Sequence, residues 1–121
     1  MASVLIIDDE YGLTEMAGEL LVMSGYEVAT AVNGKLGLAA LTTMRPDVIL
    51  LDVMMPIVSG LDVLRAIKSD PEYRTIPVIM MSAAGPESVP DDMHYLVAGF
   101  LTKPFTFDEL LAALMKILPV H

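Results

Sequence analysis

Short apolar runs rich in β-branched residues alternate along the chain with longer segments of helical period. This alternation is typical of a parallel sheet with helices packed on both of its faces. Three of the runs are almost wholly apolar, whereas the second is mixed and suits an edge strand. The predicted fold is therefore a doubly wound α/β sheet in three layers. Its strands are predicted at Ser3–Ile7, Glu27–Ala31, Val48–Leu51, Val78–Met81 and Gly99–Leu101.

Helical spacing and capping residues predict the first two helices. Apolar side chains recur at helical spacing over Leu13–Leu21, and Gly25 stands where a left-handed C-terminal cap is expected. Asn33 is suited to cap backbone amides and open a second helix. That helix is predicted to run to Met44, because the Arg45–Pro46 pair stops it.

Three further helices are predicted in the second half of the chain. The segments Ser59–Asp62 and Thr106–Glu109 resemble capping boxes that open the third and fifth helices. The fourth helix is predicted to be short, over Ser88–Val97 with Pro90 in its first turn, since prolines interrupt the helical pattern there.

Length, charge and residue content narrow the class of protein. A chain of 121 residues fits one domain over 1–121, and we expect no output domain because the last predicted helix runs almost to the end. The absence of cysteine excludes disulfide scaffolds and thiolate metal sites. A formal charge of −9 disfavours binding to nucleic acid or anionic membranes. No apolar run approaches the roughly 20 residues that span a bilayer, so a cytoplasmic location is expected.

Polar residues follow four of the five predicted strands at the point where each strand ends. Asp8–Glu10 follow the first strand, Asp52 the third, Ser82 the fourth and Lys103 the fifth. Because the carboxyl ends of parallel strands meet at one edge of a sheet, we expect these side chains to lie together. Considered one at a time, Asp8–Glu10 fit as helix-capping acids, Ser82 as a turn residue and Lys103 as a salt-bridge partner. Asp52 after a buried strand fits no such interpretation, and the whole set predicts a functional site.

The chemistry of this set predicts a metal-assisted reaction. Oxygen ligands without His or Cys suit Mg²⁺, with Mn²⁺ as the alternative. If the metal neutralises Asp8 and Asp9, Asp52 can act as a nucleophile towards a phosphoryl group and form an aspartyl phosphate. Lys103 and Ser82 would each hold one phosphoryl oxygen, so that positioning and positive charge supply most of the acceleration.

The sequence resembles the receiver domain of bacterial two-component response regulators over nearly its whole length. Any one of the matching runs is a moderate signal, whereas all of them in this order and spacing are a strong one. The runs that carry the resemblance are Val4–Glu10, Asn33–Gly34, Pro46–Pro56 with Gly60, Ile76–Ala83 and Phe100–Phe105.

The resemblance implies a role for each matching residue. Asp8 and Asp9 correspond to acidic residues of the Mg²⁺ site, Asp52 to the phosphoacceptor, and the backbone carbonyl of Met54 to a further metal ligand. Ser82 and Phe100 correspond to the switch hydroxyl and the switch aromatic residue, and Lys103 to the phosphate-binding lysine, with a cis bond to Pro104.

The resemblance also implies a fold, an activity and partners. The fold is flavodoxin-like, with strand order 2-1-3-4-5. The activity is to take a phosphoryl group from a phosphohistidine of a sensor histidine kinase or a histidine phosphotransfer protein, and later to release it to water. Phosphorylation reshapes the surface of helix four, strand five and helix five, which engages a downstream effector, and a homodimer formed on phosphorylation is a further option.

Two positions depart from the pattern of many relatives. Met54 and Ala84 stand two residues beyond the phosphoacceptor and the switch hydroxyl, where a polar side chain often orients attacking water. Neither residue can do so, and we therefore expect slow loss of the phosphoryl group.

Three other functions remain open on the sequence. A phosphohydrolase with an aspartate nucleophile requires a second acid at the position of Met54. A flavin or nucleotide binder is disfavoured because Asp8 and Asp9 would repel its phosphate groups. A scaffolding receiver that works without phosphorylation is disfavoured by the intact acidic set.

Overall fold

Five strands form a single parallel sheet in a computed structural model that describes residues 2–118. They are β1 Ser3–Ile7, β2 Glu27–Ala31, β3 Val48–Asp52, β4 Val78–Ser82 and β5 Gly99–Thr102. Neighbouring strands are parallel throughout and lie in the order β2-β1-β3-β4-β5. The predicted fold class, strand order and edge position of β2 are confirmed.

Within residues 2–118, four α-helices cover the two faces of the sheet and complete the three layers. They are α1 Tyr11–Met23, α2 Gly34–Ala40, α3 Gly60–Ser69 and α4 Phe107–Ile117. One buried cluster joins α2 and α3 to the sheet, and a second joins α1 and α4 to the opposite face. No helix in the described part of the chain is long and apolar enough to cross a membrane.

Side-chain caps open three of the helices at the predicted residues. Ser59 Oγ accepts from the Asp62 amide at 3.3 Å, ahead of α3. Thr106 and Glu109 exchange both bonds of a capping box, at 3.0 and 3.1 Å, ahead of α4. Asn33 Oδ1 caps α2. Local hydrogen bonding therefore fixes where the chain turns back from each strand into a helix.

Helix α2 is shorter than predicted. It ends at Ala40, and the expected continuation to Met44 is wrong. The hydroxyl groups of Thr42 and Thr43 donate to carbonyl oxygens of the last helical turn, at 2.7 and 3.1 Å. Hydroxyl side chains that bond to nearby carbonyls compete with the helical pattern, which explains the early end.

The prediction of a fourth α-helix over Ser88–Val97 is also wrong. Two 3₁₀ segments, Gly85–Ser88 and Asp91–Leu96, occupy this part of the chain between β4 and β5. Prolines 86 and 90 lack an amide hydrogen, so a continuous helical ladder cannot pass through them. Val89 and Met93 are buried and attach the two segments to the core.

Candidate functional site

The carboxyl edge of the sheet gathers the polar residues that the sequence singled out. Asp52 and Ser82 are the last residues of β3 and β4, one position later than the predicted strand ends, while Asp8 and Lys103 follow β1 and β5 directly. Asp8, Asp52 and Ser82 are almost fully buried, between 1% and 4% exposed. Parallel pairing in register therefore brings groups together that lie far apart in the sequence.

Three carboxylates form the acidic part of this site. Asp8, Asp9 and Asp52 each offer an oxygen atom, and these atoms lie within 4.8 Å of one another. Asp9 is exposed, so the cluster opens to solvent on one side. The Met54 amide donates to Asp52 Oδ1 at 3.4 Å, which keeps the loop after β3 beside the carboxylates. An all-oxygen donor set with excess negative charge fits a hard divalent cation.

Lys103 is the cation that the chain itself supplies to the cluster. Its Nζ lies 2.8 Å from Asp8 Oδ2 and 3.5 Å from Asp52 Oδ1. It also lies 3.1 Å from Glu10 Oε1, a residue that the sequence placed in this set without assigning it a role. Partial burial lowers the pKa of Lys103, but hydrogen bonds to Asp8 and Glu10 outweigh this effect and raise it. The peptide bond to Pro104 is cis, as predicted.

The Asp52 carboxyl group has a strongly perturbed acidity. Burial is the main reason that its pKa rises from 3.8 to about 7, and the nearby charge of Asp8 adds to the rise. The charge of Lys103 and the Met54 amide act in the opposite direction. Because a cation near a carboxylate favours its charged form, a divalent ion among these acids would restore the negative charge that a nucleophile needs.

Ser82 and Phe100 lie on the same face of the sheet, the face that α2 and α3 cover. Ser82 Oγ accepts from the Ala84 amide at 3.1 Å, at the same edge of the sheet as the acidic cluster. The Phe100 ring lies one layer deeper, since Phe100 pairs with Met80 while Ser82 pairs with Thr102. It packs against the core cluster and is partly buried.

His94 is a neighbour of Phe100 that the sequence did not reveal. The two ring centroids lie 5.2 Å apart with the planes tilted by 57°. His94 Nε2 also lies 2.8 Å from the Val89 carbonyl oxygen and 3.1 Å from that of Pro86. One imidazole therefore ties both 3₁₀ segments to the aromatic ring of β5. No other histidine or cysteine lies at metal-ligand spacing from His94 in the sequence, so nothing in the sequence indicated its contact with Phe100.

Gly60 holds the start of α3 tightly against the end of β3. Its amide donates to the Val53 carbonyl at 2.9 Å. A Cβ atom on Gly60 would lie 2.0 Å from the Asp52 carbonyl oxygen and 2.8 Å from the Val53 Cα atom. Only a glycine allows this close approach of two backbones, and that approach fixes the strand end that carries Asp52.

Curated proteins similar to this chain are regulators and a phosphotransferase. The chain is 40% identical over 119 residues to the probable transcriptional regulatory protein TcrX of Mycobacterium tuberculosis, covering 96% of this chain but 49% of that protein. It therefore spans about half the length of TcrX. It is 37% identical to sporulation initiation phosphotransferase F of Bacillus subtilis, covering 97% of this chain and 94% of that protein.

Solved structures of similar proteins share the whole fold. Chemotaxis protein CheY4 of Vibrio cholerae matches with a TM-score of 0.89 and 34% identity, covering 98% of this chain and 99% of that one. The response regulator TrrA of Thermotoga maritima, solved in complex with Mg(2+)-BeF, matches with a TM-score of 0.85 and 31% identity, covering 98% and 100%. The family described as the response regulator receiver domain matches residues 4–115. With this match over nearly all of the sheet and its acidic edge, the chain belongs to the response regulator receiver domain family.

Proposed function

We propose that Asp52 accepts a phosphoryl group from the phosphohistidine of a sensor histidine kinase or a histidine phosphotransfer protein, with Mg²⁺ or Mn²⁺ as cofactor. One observation carries this proposal: the carboxylates of Asp8 and Asp9 and the ammonium group of Lys103 converge on the buried Asp52 side chain. Membership of the receiver family supports the phosphohistidine donor. We further propose that residues 1–121 act as one receiver domain, in the cytoplasm where such donors hold their phosphoryl groups.

The metal ligands in this proposal are the side chains of Asp8, Asp9 and Asp52 with the backbone carbonyl of Met54. When bound, the ion supplies positive charge that offsets the carboxylates and the incoming phosphoryl oxygens. The oxygen-only donor set fits such an ion, and the related TrrA has been solved with Mg(2+)-BeF.

The transfer step forms one bond and breaks one bond. An Asp52 carboxylate oxygen attacks the phosphorus atom and forms the O–P bond, while the P–N bond of the phosphohistidine breaks. The imidazole keeps the electron pair of that bond and leaves as a neutral ring, because its other nitrogen carries a proton. Lys103 binds one phosphoryl oxygen, and the Ser82 hydroxyl donates a hydrogen bond to another. Positioning and charge stabilisation account for the acceleration, without a general base.

The signal in this proposal passes through Ser82 and Phe100. When Ser82 Oγ turns towards the phosphoryl group, it gives up its bond with the Ala84 amide. Phe100 then moves into the vacated space, and its contact with His94 transmits the change to residues 85–96. The switching surface thus consists of the two 3₁₀ segments, β5 and α4, in place of the α-helix that was expected from the sequence.

Acetyl phosphate labelling tests the phosphoacceptor directly. The chain is incubated with acetyl phosphate, with either Mg²⁺ or a chelator, and followed by intact mass and by peptide mapping after borohydride reduction. We expect one phosphoryl adduct per chain, located at Asp52 and dependent on the metal. Steady release of phosphate from phosphoesters would favour the hydrolase, and a chain that forms no adduct would favour the scaffolding receiver.

The lifetime of the adduct tests the departure at Met54. Met54 and Ala84 are exposed, but a thioether and a methyl group lack a strong hydrogen-bonding group, so neither side chain can orient a water molecule near Asp52. We expect the wild-type phosphoryl group to last for minutes or longer, and Met54→Asn to shorten its half-life about tenfold by orienting water. Loss of the adduct is measured by mass after removal of acetyl phosphate. Met23→Asn, at the far end of α1, is the control and should leave the half-life unchanged.

A further inference from the structure

Ile57 occupies a strained turn in the loop between β3 and α3. Its φ is 69°, and it is the only non-glycine residue with positive φ in residues 2–118. The Val58 amide donates to the Pro56 carbonyl at 2.8 Å, which closes a three-residue turn around Ile57. This form of γ-turn is rare, and a β-branched residue in it costs on the order of 1–3 kcal/mol.

The strain at Ile57 is not offset by packing of its own side chain. The Ile57 side chain is fully exposed, so it gains no packing energy in the folded domain. Val58, in contrast, points inward and packs over Gly34, where a Cβ atom would lie 3.0 Å from Val58 Cγ1. The turn therefore partly buries Val58 and leaves Ile57 exposed to solvent.

Ile57 forms one wall of a groove, the Ile57 groove, lined by residues 32–35 and 56–58. The groove has a volume of about 340 Å³, and its walls are mostly apolar. These two segments follow β2 and β3, so the groove lies at the same edge of the sheet as the acidic cluster. Met54, which is also exposed, stands between Asp52 and the groove in the same loop.

The position of the groove limits what can cover it. Asp52 is only 3% exposed. A protein donor must therefore insert its histidine side chain between the loops that surround Asp52, and in doing so it covers these loops. A small donor such as acetyl phosphate can enter without touching them. Lys35, on the wall of the groove, makes no ion pair with any residue from 2 to 118. An acidic side chain on the covering protein would therefore form an ion pair with Lys35.

We propose that the Ile57 groove is a docking surface for the phosphohistidine-bearing donor protein. The donor packs an apolar side chain against Ile57 and places an acidic side chain beside Lys35. This inference rests on the proposed role of Asp52 and adds the surface by which the protein donor is recognised.

The test compares a protein donor with a small donor on the same variants. The protein donors are purified histidine kinases and histidine phosphotransfer proteins from the same genome, labelled on histidine with ³²P-phosphate, and the small donor is acetyl phosphate. Ile57→Asn removes the apolar contact, remains neutral and tolerates positive φ. Met23→Asn removes another largely exposed apolar side chain, at the opposite edge of the sheet.

We expect Ile57→Asn to slow transfer from the protein donor about tenfold, which is the usual loss for a central interface contact. Labelling by acetyl phosphate should stay within about twofold, and thermal unfolding should not occur at a lower temperature, because the strain is relieved. Lys35→Glu should slow protein-donor transfer in the same selective way.

Other results would contradict either the docking proposal or the proposed function, and the two cases are distinguishable. If the wild-type chain accepts label from the protein donor and Ile57→Asn performs like Met23→Asn, the docking proposal is wrong while the role of Asp52 stands. The same conclusion follows if acetyl phosphate labels the chain and no protein donor does. If acetyl phosphate leaves Asp52 unmodified, the proposed function itself fails.

Discussion

The Asp52→Asn variant is expected to form no phosphoryl adduct and yet to be more stable than the wild-type domain above pH 7 in the absence of divalent metal. The amide lacks the nucleophilic carboxylate oxygen, so labelling by acetyl phosphate should be lost completely. The same change removes the buried negative charge of Asp52, at the end of β3, which is repelled by the charge of Asp8. An isosteric neutral side chain therefore relieves the unfavourable burial while it abolishes the chemistry.

The gain in stability has a defined pH dependence. Burial and the charge of Asp8 raise the pKa of Asp52 from 3.8 to about 7, so the folded state binds more protons than the unfolded state between these values. The wild-type free energy of unfolding therefore falls as the pH rises through this window. The advantage of Asp52→Asn should be small below pH 4 and complete above pH 7. There it should be on the order of 2 kcal/mol or more, since the net rise in the pKa of Asp52 already includes the opposing charge of Lys103.

Thermal unfolding from pH 4 to pH 8 in a chelating buffer measures this effect. About 2 kcal/mol corresponds to a shift of roughly 8 °C for a domain of this size. Glu15→Gln, at an exposed position on α1, is the control and should follow the wild-type curve. Added Mg²⁺ should stabilise the wild-type chain and narrow the difference. A wild-type curve that is flat over this range, with Asp52→Asn no more stable, would contradict the buried-charge explanation.

The Gly60→Ala variant is expected to be the most destabilising single-methyl change at the site. The new Cβ atom would lie 2.0 Å from the Asp52 carbonyl oxygen, and neither backbone can rotate away as a side chain could. Separation of α3 from β3 would also weaken the bond from the Gly60 amide to Val53. We expect a loss of about 3 kcal/mol or more in the free energy of unfolding.

Chemical denaturation with urea checks this prediction. Gly12→Ala is the matched control, since a Cβ atom there meets nothing within 4 Å and Gly12 lies in the first part of α1. That variant should gain up to about 1 kcal/mol from helix propensity. Because Gly60 positions the strand end beneath Asp52, Gly60→Ala should also slow labelling by acetyl phosphate where the domain is still folded. Equal stability of the two variants would show that the loop after β3 adapts more freely than its geometry indicates.

Much of the fold was predictable because its sequence signals are local. The apolar runs set the strands, and the caps at Ser59 and Thr106 set the helix starts, because both signals are local. Convergence of Asp8, Asp52, Ser82 and Lys103 at one edge was also predictable, since the carboxyl ends of parallel strands lie at the same edge of a sheet. Their assigned roles remain predictions that the labelling experiments test.

Features that depend on packing were outside the reach of the sequence. Pro86 and Pro90 interrupt the helical pattern after β4 in the sequence, but the buried anchors of the resulting 3₁₀ segments, Val89 and Met93, are visible only in the fold. The contact between His94 and Phe100 and the strained turn at Ile57 are likewise products of three-dimensional placement. The hydroxyl groups that end α2 early belong to an ordinary pair of threonines in the sequence.

The pair of 3₁₀ segments between β4 and β5 also sets how readily this face can rearrange. Short turns with poorer hydrogen-bond geometry than an α-helix open locally at a small free energy, so their amides should be among the first to exchange with solvent deuterium. If Asp52 is phosphorylated as proposed, we expect these segments to rearrange before the α-helices behind them do. Adaptability of this kind would allow the two phosphorylation states to present different surfaces to a binding partner.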